Sequence, residues 1–299
     1  MDARRILVVH RRSTYTELPG EARSRLVAEL VARQDPLVEP VVRAHEAHRA
    51  SMETVRRVLR SHSADAVWRD DLKGVDPDDF DLVVTIGGDG TVLHVSHAVA
   101  DTPVLAVNSS PETSIGYLTA GAADDFEELL ERALDGSLAP TGLYRMEVRV
   151  NGEVVTARAL NDVLFCHECP ASTSRYELSV DGRVEQQMSS GIWVATAAGS
   201  TAAIRAAGGR ELAADSRRLQ YMVREPFPYG GIGAIRPPEL VKGFVDPGEV
   251  LKMRSRTTSA RLYVDGPHVV FPVGFGDAVA ISGAARPLRL MGYRVKKSA

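Results

Sequence analysis

Three short apolar runs constrain the fold of this chain more than any other feature. Residues 6–10 (ILVVH), 81–86 (DLVVTI) and 103–108 (PVLAVN) are continuously apolar rather than alternating, as strands covered on both faces are. Around them, residues 21–33, 46–62, 91–100 and 124–134 have helical spacing. In 46–62, Val55, Val58 and Leu59 share one face and arginines occupy the other. The run 124–134 is amphipathic, with acidic residues in its first turn, where the helix dipole favours negative charge. Strand and helix in alternation imply a parallel sheet covered by helices on both sides.

After about residue 140 the texture changes. Asn151-Gly152, Asp181-Gly182 and Asp265-Gly266 each interrupt strand-forming residues, as in EVRV–NG–EVV, YELSV–DG–RV and RLYV–DG–PHVV. Such dipeptides supply the positive φ angles of tight hairpins. The fold class expected is therefore an α/β N-terminal domain with a parallel sheet, followed by an antiparallel, β-rich, sandwich-like domain. A length of 299 residues suits two domains. The expected boundaries are 1–140 for the first, 141–285 for the second, and a C-terminal segment, 286–299, that returns to the first. Residues 226–233 (PFPYGGIG) are the most loop-like stretch.

Composition sets the class of partner. A formal net charge of −3 argues against a broad basic surface for nucleic acid. No apolar run approaches the ~20 residues that span a bilayer, and Met-Asp-Ala-Arg-Arg is not a signal sequence. The two cysteines, Cys166 and Cys169, form a lone C-x-x-C, which lacks the second ligand pair of a structural zinc site. A cytoplasmic protein with no nucleic-acid partner, no membrane partner and no metal ligated directly by protein is expected.

The segment Gly87-Gly88-Asp89-Gly90-Thr91 leaves a buried strand and enters a helix, the place where α/β folds put ligands. Glycines let the backbone approach phosphate oxygens, and a helix N-terminus favours anions. A carboxylate there opposes phosphate binding unless Asp89 accepts a proton from an attacking hydroxyl or helps hold Mg²⁺ on a nucleotide. The structural alternative is a plain turn with Asp89 as helix cap. Two further segments carry chemistry, Leu160-Asn161-Asp162-Val163 and the run 190–203 (SGIWVATAAGSTAA). Small residues let backbone approach a flat ligand, and Asn, Ser and Thr offer partners to a nucleobase or ribose. The alternative is a strand followed by a tightly packed helix.

Together, in this order, these three segments resemble the NAD kinase family over nearly the whole chain. That family's markers are GGDGT, an Asn-acid pair, and a G-x-x-V-x-T-x-x-G-S-T stretch ending in A-G-G. The resemblance implies a cleft between the domains, NAD(H) as substrate, ATP with Mg²⁺ as donor, and a homodimer or homotetramer. It assigns Asp89 as catalytic base beside the ribose 2′-hydroxyl and Gly87, Gly88, Gly90 and Thr91 as the phosphate-binding turn. Asn108 matches a cleft asparagine, and Asn161 and Asp162 the pair holding adenine and ribose. Thr196, Ser200, Thr201 and Ala202 match the lining of the adenine pocket. Two departures, Ser190 where many members have Asp and Ala203 where Tyr is usual, are similar to the plant NADH-preferring branch. So are Cys169-Pro170-Ala171 and residues 219–226 (LQYMVREP). That likeness brings Tyr221 and Glu225 towards the nicotinamide end.

Other residues admit two readings. Arg11 and Arg12 suit phosphates or a solvated loop. Arg224 suits a phosphate contact or a core ion pair. His45 with His48 reads as an exposed helix face, His94 with His97 as a helix face, and residues 69–79 (RDDLKGVDPDD) as a solvated acidic loop. A lipid kinase sharing the glycine turn, and a silent dinucleotide-binding sensor, remain open alternatives.

Overall fold

The computed structural model describes residues 4–10, 21–228 and 236–293. Two compact units divide the chain: Met1–Thr141 with Leu288–Ala299, and Gly142–Pro287. Arg11, Arg12 and residues 229–233 of the loop-like stretch lie outside the described residues.

In chain order the first unit contains β1 (Arg5–His10), α1 (Glu21–Ala32), α2 (Glu39–Ser61), β2 (Asp65–Arg69) and β3 (Leu82–Gly87). There follow α3 (Asp89–Ser96), β4 (Val104–Asn108), β5 (Gly121–Ala122), α4 (Phe126–Leu134) and β6 (Pro140–Leu143). The pairs β1–β2, β1–β3, β3–β4 and β4–β5 are parallel. The C-terminal strand Leu288–Met291 adds a further parallel partner to β4. The apolar runs explain the layering. Ile6, Val8, Val84, Ile86, Leu105 and Val107 pack on one face against Val55, Val58 and Leu59 of α2 and Phe126, Leu129 and Leu130 of α4. Each large side chain buried in this way contributes roughly 1.5–3 kcal/mol.

Two elements depart from expectation. Helix α2 begins at Glu39, well before residue 46, because Pro40 lies in its first turn, where a missing N–H costs nothing. Strand β2, a half-exposed run of DAVWR, has too little apolar surface to announce itself. The acidic stretch before β3 is exposed, as its composition implies, yet one of its carboxylates is fully engaged. The Asp78 carboxylate accepts from the amides of Ala100, Asp101 and Thr102 at 2.8, 3.0 and 2.9 Å, and from the Thr102 hydroxyl at 3.0 Å.

The second unit holds β7 (Met146–Val150), β8 (Glu153–Ala159), β9 (Asp162–His167), β10 (Ser174–Val180), β11 (Arg183–Ser189) and β12 (Ile192–Ala195). A short helix α5 (Ala203–Ala206) precedes β13 (Leu219–Val223), β14 (Lys242–Val245), β15 (Leu251–Ser255), β16 (Ala260–Val264), β17 (Val269–Val273) and β18 (Ala278–Gly283). They form two six-stranded sheets, ordered β11-β10-β15-β18-β7-β8 and β14-β13-β12-β9-β16-β17. Their inner faces share one core in which the Phe165 and Tyr176 rings meet edge to face at 5.2 Å. Asn151-Gly152 and Asp181-Gly182 make two-residue turns with φ of 51° and 86°, and 51° and 70°. The third signal opens a longer loop, residues 265–268, between β16 and β17.

Asp78 ties the segment before β3 to the segment before β4, although burial opposes its charge: the hydrogen bonds outweigh that and lower its proton affinity. A group lowered in this way stabilises above its ordinary range near 3.8 and loses the effect as pH falls through its folded value. Asp78→Ala should cost about 1–2 kcal/mol at pH 7, with the loss vanishing in strong acid. Urea denaturation at pH 7 and pH 3 checks this; an equal loss at both would contradict it.

Candidate active site

The first set of groups sits where β3 ends. Gly88 is the N-cap of α3, and its own helix receives no side-chain cap. Asp89, half-buried, occupies the first helical position and its carboxylate turns outward from the helix. Its Oδ2 accepts from the Tyr117 amide at 2.9 Å and its Oδ1 from the Leu118 amide at 2.7 Å. Asp89 therefore bonds a different loop rather than capping its helix, and each oxygen keeps lone-pair capacity for another donor.

The glycines have distinct reasons. A Cβ at Gly87 would stand 2.1 Å from the Thr91 hydroxyl, so Thr91 can pack there only over glycine. At Gly90 a Cβ would meet nothing within 4 Å, and the position is exposed, leaving open space in front of the helix. A Cβ at Gly88 would stand 3.2 Å from the Ser114 hydroxyl.

Asn108 pairs with Gly87 across the sheet but its amide is spent internally. Nδ2 donates to the Ser114 carbonyl at 2.9 Å, and Oδ1 accepts from the Ser110 amide at 3.1 Å. It is buried. The geometry makes it an organiser of the 109–118 loop.

The second set lies in the second unit. Alternation along β9, β12 and β13 decides which side chains can reach a ligand. Val163, Phe165, Ile192, Val194 and Tyr221 point into the sandwich core, while Asp162, Leu164, Cys166, Trp193 and Tyr263 line a cavity on the opposite face. That cavity holds about 460 Å³ and is also lined by Ser190, Arg224 and Gly266. Ser190 is delivered there by Gly191, which stands at φ 114°, where a Cβ would lie 2.3 Å from the Phe165 carbonyl.

Several expected contacts point elsewhere. Tyr221 is a core residue beneath Gly243 and does not approach the cavity. Thr196 donates to the Leu160 carbonyl and accepts from the Gly199 amide. Ser200 donates to the Ala197 carbonyl at 2.7 Å and accepts from the Leu212 amide at 2.9 Å. Both hydroxyls thus hold the turn rather than offer themselves to a base. Thr201 and Ala202 are half-buried at the junction of a 3₁₀ turn and α5, away from the cavity lining. Glu225, at φ 41°, is exposed, and its carboxylate lies 3.9 Å from the Arg224 guanidinium. Arg224 itself is no core ion pair, since its side chain is 33% exposed and its guanidinium lies 5.9 Å from the Trp193 ring centre.

Asp162 and Asn161 are held together. The Asn161 amide donates to Asp162 Oδ2 at 3.2 Å, and Gly199 packs so closely on Asn161 that a Cβ would meet its carbonyl at 1.9 Å. Asp162 is 5% exposed. Burial first, and the negative charge of Asp265 second, push its carboxyl up to about 7. Asp265 was readable in the sequence only as a turn residue. In the structure its carboxylate accepts from the amides of Leu160, Asn161 and Asp162 at 2.8, 2.6 and 3.0 Å. Among the described residues no three His, Cys, Asp or Glu converge to hold a metal ion, and both cysteines are free thiols.

Comparison with known proteins gives consistent matches. The family model described as ATP-NAD kinase N-terminal domain matches residues 6–138. A probable NADH kinase of Oryza sativa subsp. japonica is 36% identical over 268 residues, covering 82% of this chain and 81% of the relative. An NADH kinase of Arabidopsis thaliana is 35% identical over 235 residues, covering 71% and 73%. Among solved structures, an NAD kinase from Archaeoglobus fulgidus in complex with ATP superposes with a TM-score of 0.66 at 19% identity, covering 98% of this chain and 94% of that one. Yeast NADH kinase complexed with NADH gives 0.66 at 16%, covering 98% and 84%.

An acid that binds its proton more tightly when folded favours folding at low pH. The Asp162 contribution should therefore be least unfavourable below about 3.8, worsen as pH rises towards about 7, and level off above that. Asp162→Asn should gain stability over the parent across that window, by on the order of a few kcal/mol at pH 8. Denaturation curves of both proteins from pH 4 to 8 check this; a constant difference would contradict it.

Proposed function

The chain belongs to the NAD kinase family, and from that membership we propose that it phosphorylates NAD(H) at the 2′-hydroxyl of the adenosine ribose, with ATP as donor. The observation that carries this reading is Asp89: a half-buried carboxylate at the carboxyl end of a parallel strand, aimed by two amides and still able to accept a further proton donor.

In the reaction, Asp89 receives the hydrogen bond of the 2′-hydroxyl and takes its proton as the oxygen attacks the γ-phosphorus. A new oxygen–phosphorus bond forms, the bond to the β,γ-bridging oxygen breaks, and ADP departs. The first-turn amides of α3, reached over open space at Gly90, stabilise charge on the transferring group. A divalent ion held by the donor's phosphates would supply charge neutralisation to the transferring group. Because the protein does little covalent work, placement of the hydroxyl dominates the rate. In the second unit, the Asn161 amide and the Asp162 carboxyl hold the adenosine.

NADH is proposed as the better acceptor. Uncharged Ser190 and cationic Arg224 line the same cavity, and a guanidinium repels an oxidised, cationic nicotinamide while tolerating the neutral reduced ring. Relatives described as NADH kinases support the same preference.

Asp89→Asn should lower kcat by roughly 10²–10⁴-fold and leave the dinucleotide Kd within a few-fold. Because the Asn Nδ2 would oppose an amide donor, it should also cost about 1–2 kcal/mol of stability. A coupled assay for NADP(H) alongside calorimetric binding measures both, and normal turnover would remove Asp89 from the chemistry. The same assay run with NADH and NAD should give a kcat/KM for NADH at least equal to that for NAD. A strong preference for NAD would refute the charge argument.

A further inference from the structure

We propose that Asp265 is a positioning residue for dinucleotide recognition: it gathers the amides of Leu160, Asn161 and Asp162 and so aims the Asn161 amide and the Asp162 carboxyl at the ligand. The inference rests on the reading that these two side chains hold the dinucleotide.

Three observations converge on it. The loop that Asp265 opens reaches the cavity, since Gly266 and Pro267 line it together with Asp162. The contact runs both ways, because the Asp265 amide donates to the Asp162 carbonyl at 2.9 Å while its carboxylate takes the three amides in return. Finally, Asp265 does not close a two-residue hairpin as Asp181-Gly182 does: it opens a four-residue loop, and its carboxylate reaches three consecutive amides more than a hundred residues away in sequence.

The arrangement also has an electrostatic cost. A like charge is placed beside an acid that is itself buried, and it adds to the burial that keeps Asp162 protonated near neutrality. Other ionisable or charged groups on the same cavity are Cys166, His167, Glu168, Cys169, Arg224 and Tyr263. Glu168 is paired with Arg261 at 2.6 Å. Asp265 is thus the acid that both orients the Asn161-Asp162 backbone and biases the Asp162 proton.

Asp265→Asn separates the two effects from mere folding. Asparagine tolerates the φ of 51° at this position. Its carbonyl can keep the Asn161 and Asp162 bonds, while its Nδ2 opposes the Leu160 amide and the charge is gone. With NADH and ATP on the full chain, KM for NADH should rise roughly tenfold, with kcat within about threefold. The midpoint of the KM–pH profile should move to lower pH, because the like charge no longer holds the Asp162 proton. A merely structural residue would shift Tm without moving that midpoint. If Asp265→Asn does not fold, Asp265→Ser, which retains one acceptor, carries the same two readouts. A folded variant with unchanged KM and unchanged midpoint overturns the proposal. Asp162→Ala distinguishes the failures. If it raises KM while Asp265→Asn does not, the positioning role alone falls. If Asp162→Ala leaves KM unchanged, the assignment of the Asn-Asp pair falls and the inference with it.

Discussion

The amides of Tyr117 and Leu118 meet the two oxygens of one carboxylate, Asp89, at 2.9 and 2.7 Å. Through that contact the end of β3, the start of α3 and the 109–118 loop become a single rigid piece. Neighbouring bonds reinforce it. Asn108 clasps the same loop from within, Gly116 at φ 61° leaves room for the Asn108 amide, and the Ser109 amide donates to the Gly87 carbonyl. A carboxylate fixed in this way has already given up its rotamer freedom before substrate arrives, and it presents its remaining lone pairs in a set direction. Phosphoryl transfer depends on such placement more than on any covalent contribution by the protein.

The same device recurs. Asp78, Asp89 and Asp265 each collect backbone amides from a segment distant in sequence, and each joins a turn to a strand end. What separates them is surroundings. Asp78 lies among exposed loops and only stabilises. Asp89 stands at the mouth of a glycine turn with open space beyond Gly90. Asp265 backs onto a cavity and onto a second, buried acid. A carboxylate bound by amides is thus a structural bolt by default, and it becomes chemical only where a ligand can reach its free lone pairs.

The sheet strands of the first unit were legible because continuous apolar runs leave few alternatives to a strand buried on both faces. The hairpins were legible because positive φ at Asn-Gly and Asp-Gly is a local demand. Strand β2 and the early start of α2 were not, since one is half-exposed and the other begins at a proline. The strand–turn–helix form of the glycine segment was legible because all its parts are contiguous. The inward turn of Tyr221 was hidden, because the facing of a strand residue depends on register with β12 and β14, which no local pattern states. Thr196 and Ser200 look like ligand donors in sequence, yet their hydroxyls satisfy buried backbone groups a tight turn would otherwise leave unpaired. Asp265 lies more than a hundred residues from the amides it holds, |i−j| being 105 for Leu160, so its role emerges only in three dimensions.

The most direct test is a crystal structure of the chain with NADH and a non-hydrolysable ATP analogue. The adenosine 2′-oxygen should lie about 2.6–3.2 Å from an Asp89 carboxylate oxygen, with the γ-phosphorus on its far side. A 2′-oxygen beyond hydrogen-bond reach of Asp89, and served instead by another side chain, would contradict the assignment.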